Sequence, residues 1–341
     1  MSKKASFRLT ILLSILLLAS VFIYLPFYVS KPGMAKELEP IIDVEGGYDE
    51  EGSFMLTTIR MGRANIYSYI LAHLSKYQEI YPLEAIRAEN ETDEEYTSRQ
   101  LHMMDNSKAN AIEVAYKKAG LPVDYEYKGV YVLQVVPGMP ADGKLVPGDH
   151  ILKIDDRSFT SSTEFIEYIG SKKSGEKVTL TLTHKNKEKN VTLALKQFES
   201  GSEKAGIGIV PVDDKEIEVD PEVSVDTAEI GGPSAGLMFS LEIYNQLTEE
   251  DLTAGREIAG TGTISPDGTV GRIGGIEQKI IAADKAGAEI FLAPSENGAG
   301  DSNYEAAVRT AKDIGTSMEI VPVNNFDEAV DYLEKLQQKT S

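Results

Sequence analysis

Between Arg8 and Lys31 the chain reads LTILLSILLLASVFIYLPFYVS, with no charged residue. That apolar run is long enough for a membrane-crossing helix of about 20 residues. Residues 32–51, rich in Pro, Gly and acids, read as a linker. GSFMLTTI (52–59) alternates as a strand, and Ile66, Tyr69, Ile70, Leu74, Tyr77 and Ile80 recur at helical spacing from Arg63 to about Tyr81, with His73 beside the stripe in a structural role. ENETDEE (89–95) reads as a solvated charge run, and a second helix runs from about Thr97 to Ala119, ending at Gly120 and Pro122. The pattern then changes to period two. GVYVLQVV, a turn at Pro137 and Gly138, and HILKID are followed by a short helix, STEFIEYIG, and the paired strands of KVTLTLTHKNKEKNVTLAL. In the last 140 residues, strands alternate with apolar helices: VSVDTAEIGGPSAGLMFSLEIYNQL and GRIGGIEQKIIAADKAGAEIFLAP.

Composition narrows the chemistry. The 341 residues hold no Cys and no Trp, which removes disulfides, thiolate metal sites and a cysteine nucleophile. The net charge is −20, and clustered Lys and Arg for phosphate contacts are lacking, so nucleic acid is not an expected partner. The charge is also unevenly placed. Lys3, Lys4, Arg8 and Lys31 are the only charges in the first 31 residues, leaving −24 for the rest. Basic residues before the apolar run predict a cytoplasmic N-terminus, a retained single-pass anchor and a body outside the cell membrane, with Tyr24, Phe27 and Tyr28 at the far interface. The rival for this segment is a cleaved signal peptide. GMPADGKL (138–145) holds half of a P-loop but ends in Leu145, so no nucleotide is expected; no metal-ligand cluster or other cofactor signal occurs either.

Candidate chemistry lies in two late segments. Pro233 suits a first helical turn, which places Ser234 where free backbone N–H groups and the helix dipole favour negative charge. By position alone Ser234 reads as an ordinary helix cap, the commonest use of serine there. At about 100° per residue, Lys279 projects into the apolar arc formed by Ile276, Ile280, Ala283 and Ala286, where its ammonium loses hydration and the neutral amine becomes a base. Taken alone, such a lysine also has the option of snorkelling to water. No His follows His184, so a histidine triad cannot be built in this region, whereas a Ser-Lys pair can.

Two family resemblances organise these segments. LVPGDHILKIDDRSF resembles a PDZ domain of the bacterial protease type over residues 115–198. The resemblance implies a peptide groove between the strand from Gly129 and the helix near Thr163 to Ile169, with the N–H groups of Lys128, Gly129, Val130 and Tyr131 receiving a peptide carboxylate. The family carries a Gly-Leu-Gly-Phe-like loop, and here the corresponding stretch reads YKGVYV. GGPSAG together with AGTGTISPDGTVGRIGGIEQKIIAADKAGA resembles the proteolytic domain of the Lon family, with the lysine 45 residues after the serine. That likeness implies Ser234 as nucleophile, Lys279 as base, Thr261 as an auxiliary that positions the lysine, and Gly232, Pro233 and Ala235 as the oxyanion-side motif. Many Lon sequences have an acid before Gly-Pro-Ser, where this chain has Gly231; Glu229 and Asp226 are the nearby substitutes.

The order of segments is similar to that of the membrane-anchored PDZ/Lon-like proteases of bacteria, the YlbL type. The implied fold class is α+β, with an anchor (1–31), a linker (32–51), a strand plus helical segment (52–114) that either packs with the PDZ domain or completes the catalytic sheet, a small sandwich-like PDZ domain (115–198) and a Lon-type α/β proteolytic domain (199–341). The expected function is an ATP-independent serine endopeptidase acting on flexible or unfolded protein and peptide segments, with an oligomer compatible with the sequence. The alternative is an inactive membrane-tethered PDZ scaffold.

Overall fold

The computed structural model describes residues 11, 14, 18, 20–87, 91–184, 187–198, 205–227 and 230–340. In chain order the first elements are β1 (Tyr24–Glu37), β2 (Ile42–Val44), β3 (Ser53–Asn65), α1 (Ile66–Leu74), β4 (Glu79–Pro82), α2 (Leu83–Ile86) and α3 (Asp93–Lys118). The middle of the chain forms β5 (Val123–Val135), β6 (His150–Ile154), α4 (Ser162–Gly170), β7 (Lys177–His184), β8 (Lys187–Ala194), the short β9 (Lys196–Gln197) and β10 (Ala205–Gly206), and β11 (Ile209–Val219). The last part forms β12 (Val223–Val225), α5 (Gly236–Leu247), β13 (Glu257–Gly260), β14 (Thr263–Ile264), β15 (Val270–Gly271), α6 (Ile276–Ala286), β16 (Ile290–Pro294), α7 (Asn303–Ile314), β17 (Glu319–Val323) and α8 (Phe326–Thr340).

One mixed sheet, in the order β17-β16-β13-β3-β1-β4, joins the two ends of the chain. β3 lies parallel to β13 on one side and antiparallel to β1 on the other, and β2 pairs with β12. The inner parallel strands β13 and β16 are apolar and buried, as strands covered on both faces must be. α5 is buried on every side, with Leu237, Met238, Phe239, Leu241 and Ile243 inside the core, so its apolar circumference has a use. The second sheet, β11-β5-β6-β7-β8, is antiparallel and encloses its own core of Val130, Ile151, Ile154, Phe165, Leu180 and Leu182. It is inserted between α3 and β12, and the long β5/β11 ribbon carries both chain crossings.

Several expectations change. Residues 24–31 belong to β1, not to a helix, and Tyr28 and Val29 are buried there, which removes Tyr28 from any membrane interface. The preceding apolar residues lie mostly outside the described part, and among the described residues no helix is long and apolar enough to cross a membrane. The expected linker instead holds the end of β1 and all of β2. The helix from Arg63 stops at Leu74, and Ile80 lies in β4, paired with Val29. The charge run starts α3: Thr92 caps it in a reciprocal box with Glu95, while Glu91 is buried against Arg99.

Candidate active site

α6 begins at Gly275, whose positive φ of 71° suits glycine, and where a Cβ would come within 2.7 Å of Ile59. This start aims Lys279 inward, leaving it only 2% exposed. Its Nζ lies 2.8 Å from Ser234 Oγ, 2.8 Å from the Thr57 carbonyl and 2.9 Å from Thr261 Oγ1. Burial lowers the lysine pKa from 10.5 to about 7 by penalising the ammonium. The hydrogen-bond partners accommodate both the ammonium and the neutral amine. The Thr57 carbonyl can only accept, and Thr261 donates its hydroxyl proton to the Ser234 carbonyl at 2.9 Å, so it too accepts from Nζ. Those partners take two N–H bonds, and the third position of Nζ faces Ser234 Oγ, to which an ammonium donates and from which a neutral amine accepts.

Ser234 occupies a turn just before α5. Ala235 is the N-cap residue and no side chain caps the helix, so Ser234 does not have the capping role. Gly262 N–H also donates to the Ser234 carbonyl, at 2.9 Å, which fixes the turn against the strand end that carries Thr261. The N–H groups of Ser234 and Ala235 meet no backbone acceptor among the described residues. Gly232 differs from expectation: its N–H donates to the Gln100 carbonyl at 2.9 Å, and Pro233 has no N–H, so neither supplies an oxyanion donor.

α3 explains the missing acid. A Cβ at Gly231 would come within 2.9 Å of the Gln100 Cβ, so this helix occupies the space of a side chain at that position. Ser107 on the same helix donates to the Pro233 carbonyl at 3.1 Å, and Asn110 to that of Ile264 at 3.0 Å. Of the proposed substitutes, Asp226 lies in a separate cleft beside Lys36 and Ile41, and Glu229 is outside the described residues. The Ser234–Lys279 cleft, of about 610 Å³, is lined by β3 (Leu56 to Met61), α3 (Tyr96 to Met104) and Ile230. Thr57 and Gln100 were not singled out in the sequence; no local motif marks a backbone carbonyl that arrives from a distant strand or helix.

The PDZ groove also moves. Gly129, Val130 and Tyr131 pair with Asp214, Asp213 and Val212 of β11, and Val130 and Tyr131 pair with β6 on the other side. Both edges of β5 are therefore occupied, and Lys128 instead bridges Glu126 and Glu216 on the surface. The sheet's two edge strands are β8 and β11, and β11 packs beside α4. The run Gly206-Ile207-Gly208-Ile209 leads into β11, with two glycines alternating with apolar residues. Facing α3, Tyr131 stacks on His102 at 3.4 Å and meets His150 edge-on, while Lys215 of β11 pairs with Glu113 at 2.9 Å. Histidines isolated in sequence thus meet at the junction of the two sheets. Burial holds His102 down to a pKa of about 4.

A serine hydroxyl set against a buried lysine whose pKa burial has lowered is the arrangement of the Ser-Lys hydrolase class. The chain belongs to the Lon protease (S16) C-terminal proteolytic domain family, whose model matches residues 162–335, and a PDZ domain model matches residues 103–195. The two matches overlap at 162–195, where the structure has α4, β7 and β8 of the inserted sheet. Among curated proteins, the chain is 31% identical over 135 residues to the Lon protease of Rickettsia bellii, covering 38% of this chain and 16% of that protein. It is 34% identical over 134 residues to the Lon protease of Campylobacter jejuni, covering 35% and 16%. The chain thus spans about a sixth of the length of these relatives. Among solved structures it resembles the PDZ domain of an SdrC-like protein from Listeria monocytogenes, at 40% identity and a TM-score of 0.24, covering 26% of this chain and 90% of that one.

Proposed function

We propose that this chain is an ATP-independent serine endopeptidase that works at a membrane and cleaves flexible or unfolded extracytoplasmic segments. The observation that carries the reading is the 2.8 Å contact between Ser234 Oγ and the buried Nζ of Lys279. Neutral Lys279 takes the hydroxyl proton, and Ser234 Oγ attacks the peptide carbonyl. The N–H groups of Ser234 and Ala235, at the positive end of α5, receive the oxyanion. The lysine then hands its proton to the leaving amine, and a water deprotonated by the same amine clears the acyl-enzyme. Thr261 and the Thr57 carbonyl hold Nζ on the serine throughout.

ATP independence is supported by the site being already assembled within the described residues, where Lys279 Nζ stands in hydrogen-bond contact with Ser234, Thr261 and the Thr57 carbonyl. Peptide selection is assigned to the free edge of β11, beside α4, with the carboxylate at Gly206 to Ile209. The apolar N-terminal run anchors the chain, its basic flank on the cytoplasmic side and the catalytic body outside, in the manner of the YlbL type. The test is cleavage of an unfolded protein, without ATP, by purified Ser234→Ala and Lys279→Ala. Both variants are expected to be inactive while still folded, and undiminished turnover by Lys279→Ala would falsify the reading.

A further inference from the structure

α1 presents its apolar side outward. Ala72 is buried, whereas Ile70, Leu71 and Leu74 are 53%, 59% and 80% exposed. At about 100° per residue, Ile66, Ile70, Leu74, Tyr67 and Leu71 share an arc of roughly 140° opposite Ala72. The patch continues into Phe22, Ile23 and Tyr24, which are 77%, 53% and 54% exposed. Single exposed apolar side chains are ordinary; a contiguous set on two adjacent segments marks an interaction surface.

The same helix is fastened to the end of the apolar N-terminal run. Asn65, its N-cap residue, donates from Nδ2 to the Val21 carbonyl at 3.1 Å, and the Tyr67 hydroxyl lies 2.6 Å from Ser20 Oγ. Ser20 is helical, and Val21 and Phe22 form a turn that leads to β1. Residues 24–30 of the uncharged run belong to β1, which leaves about 15 of its residues, fewer than the roughly 20 that a helix needs to cross a hydrocarbon core of about 30 Å. A short anchor is accommodated by bilayer thinning and by flanking groups that sink to the interface. The Arg63 guanidinium stands 5.6 Å over the Tyr24 ring, a cation and an aromatic suited to the headgroup layer.

We infer that the outward face of α1, with Phe22 to Tyr24, docks into the outer lipid interface beside the anchor and holds the catalytic body against the membrane. The inference rests on the anchor proposed above. Continuity with the apolar run favours lipid over a second protein surface. The placement also defines substrates. β3 leads from Asn65 at the membrane to Met61 and Arg60, which line the catalytic cleft. At about 3.3 Å per strand residue, the near wall of the cleft stands only some 13 Å from the docked cap. Membrane-proximal segments are therefore the ones within reach.

The absence of cysteine allows a direct test. Leu71→Cys and Leu74→Cys of the full chain, each carrying an environment-sensitive dye, are incorporated into phosphatidylcholine/phosphatidylglycerol vesicles containing a lipid quencher at the interface, with Lys173→Cys on the PDZ surface as control. The α1 labels are expected to lose about half or more of their emission, and the control almost none. If the chain floats with the vesicles but the α1 labels are quenched no more than the control, the docking is wrong and the anchor stands. If the chain does not float, both are wrong. Protection of the labels without lipid, rising with protein concentration, would make the face a contact between copies and overturn the lipid assignment.

Discussion

Thr261→Val tests the division of labour at the site. Thr261 is fully buried; its hydroxyl accepts from Lys279 Nζ at 2.9 Å and donates to the Ser234 carbonyl at 2.9 Å. Valine keeps the shape and removes both bonds. The Ser234 carbonyl retains the Gly262 N–H, but one N–H of Lys279 is left in a dry site. An unsatisfied buried donor costs about 1–3 kcal/mol, and if that cost falls on the positioned, reactive arrangement, kcat/KM drops roughly 5- to 150-fold. The pH profile moves as well. An acceptor on the lysine favours the ammonium, so its removal lowers further a pKa that burial has already brought to about 7. The plateau therefore falls while the rising limb shifts to lower pH, and Thr261→Ser restores both. The assay is kcat/KM for a fluorogenic peptide across neutral and alkaline pH. An unchanged plateau, or a limb displaced upward, would refute the reasoning.

Three further outcomes follow from the same geometry. Gly231→Asp should lower activity because its Cβ meets that of Gln100 at 2.9 Å; Gln100→Gly in the same chain should recover part of the loss, and equal activity of the single and double variants would contradict the steric account. Lys279→Met should raise stability near neutral pH. With a folded pKa of about 7 against 10.5, the buried ammonium penalises the native state fully below 7, and the penalty fades as pH rises to 10.5. The gain is of order 4 kcal/mol at pH 7, read from urea unfolding, and a gain that grew toward pH 10 would be the wrong sign. Finally, a photoreactive peptide with a free C-terminal carboxylate should crosslink near Val210 on β11 and not at Lys128; the reverse pattern would return the groove to β5.

What was legible in the sequence was local. The glycine-rich turn at Ser234 and the helix that aims Lys279 inward each lie within a few residues; local pattern singled out both, and the resemblance to the Lon proteolytic domain decided in favour of a catalytic pair. The pairing of β3 with β13 depends on residues about 200 positions apart, so GSFMLTTI reads as a strand without revealing that Thr57 completes the lysine's partners. Gln100 is similar: its role is set by where α3 lies, and Gly231 records that contact as an absence of side chain. On the PDZ side, the Gly129 strand has the right alternation for a peptide-binding edge, but alternation does not distinguish an edge from an interior strand. The return of β11 after α4, β7 and β8 closes that edge. The far end of the apolar stretch was misread for a related reason: Tyr28 and Val29 are apolar because they fill a sheet core.

The central claim is that Lys279 is neutral near pH 7 and removes the Ser234 proton. Its most direct test is the pH dependence of single-turnover acylation by the wild-type chain, measured beside Lys279→Met. The account predicts a rise with a midpoint near pH 7 and a loss of about a thousandfold or more in the variant, in line with removal of a catalytic base. A wild-type limb near the ordinary lysine value of 10.5, or a variant within a few-fold of wild type, would contradict it.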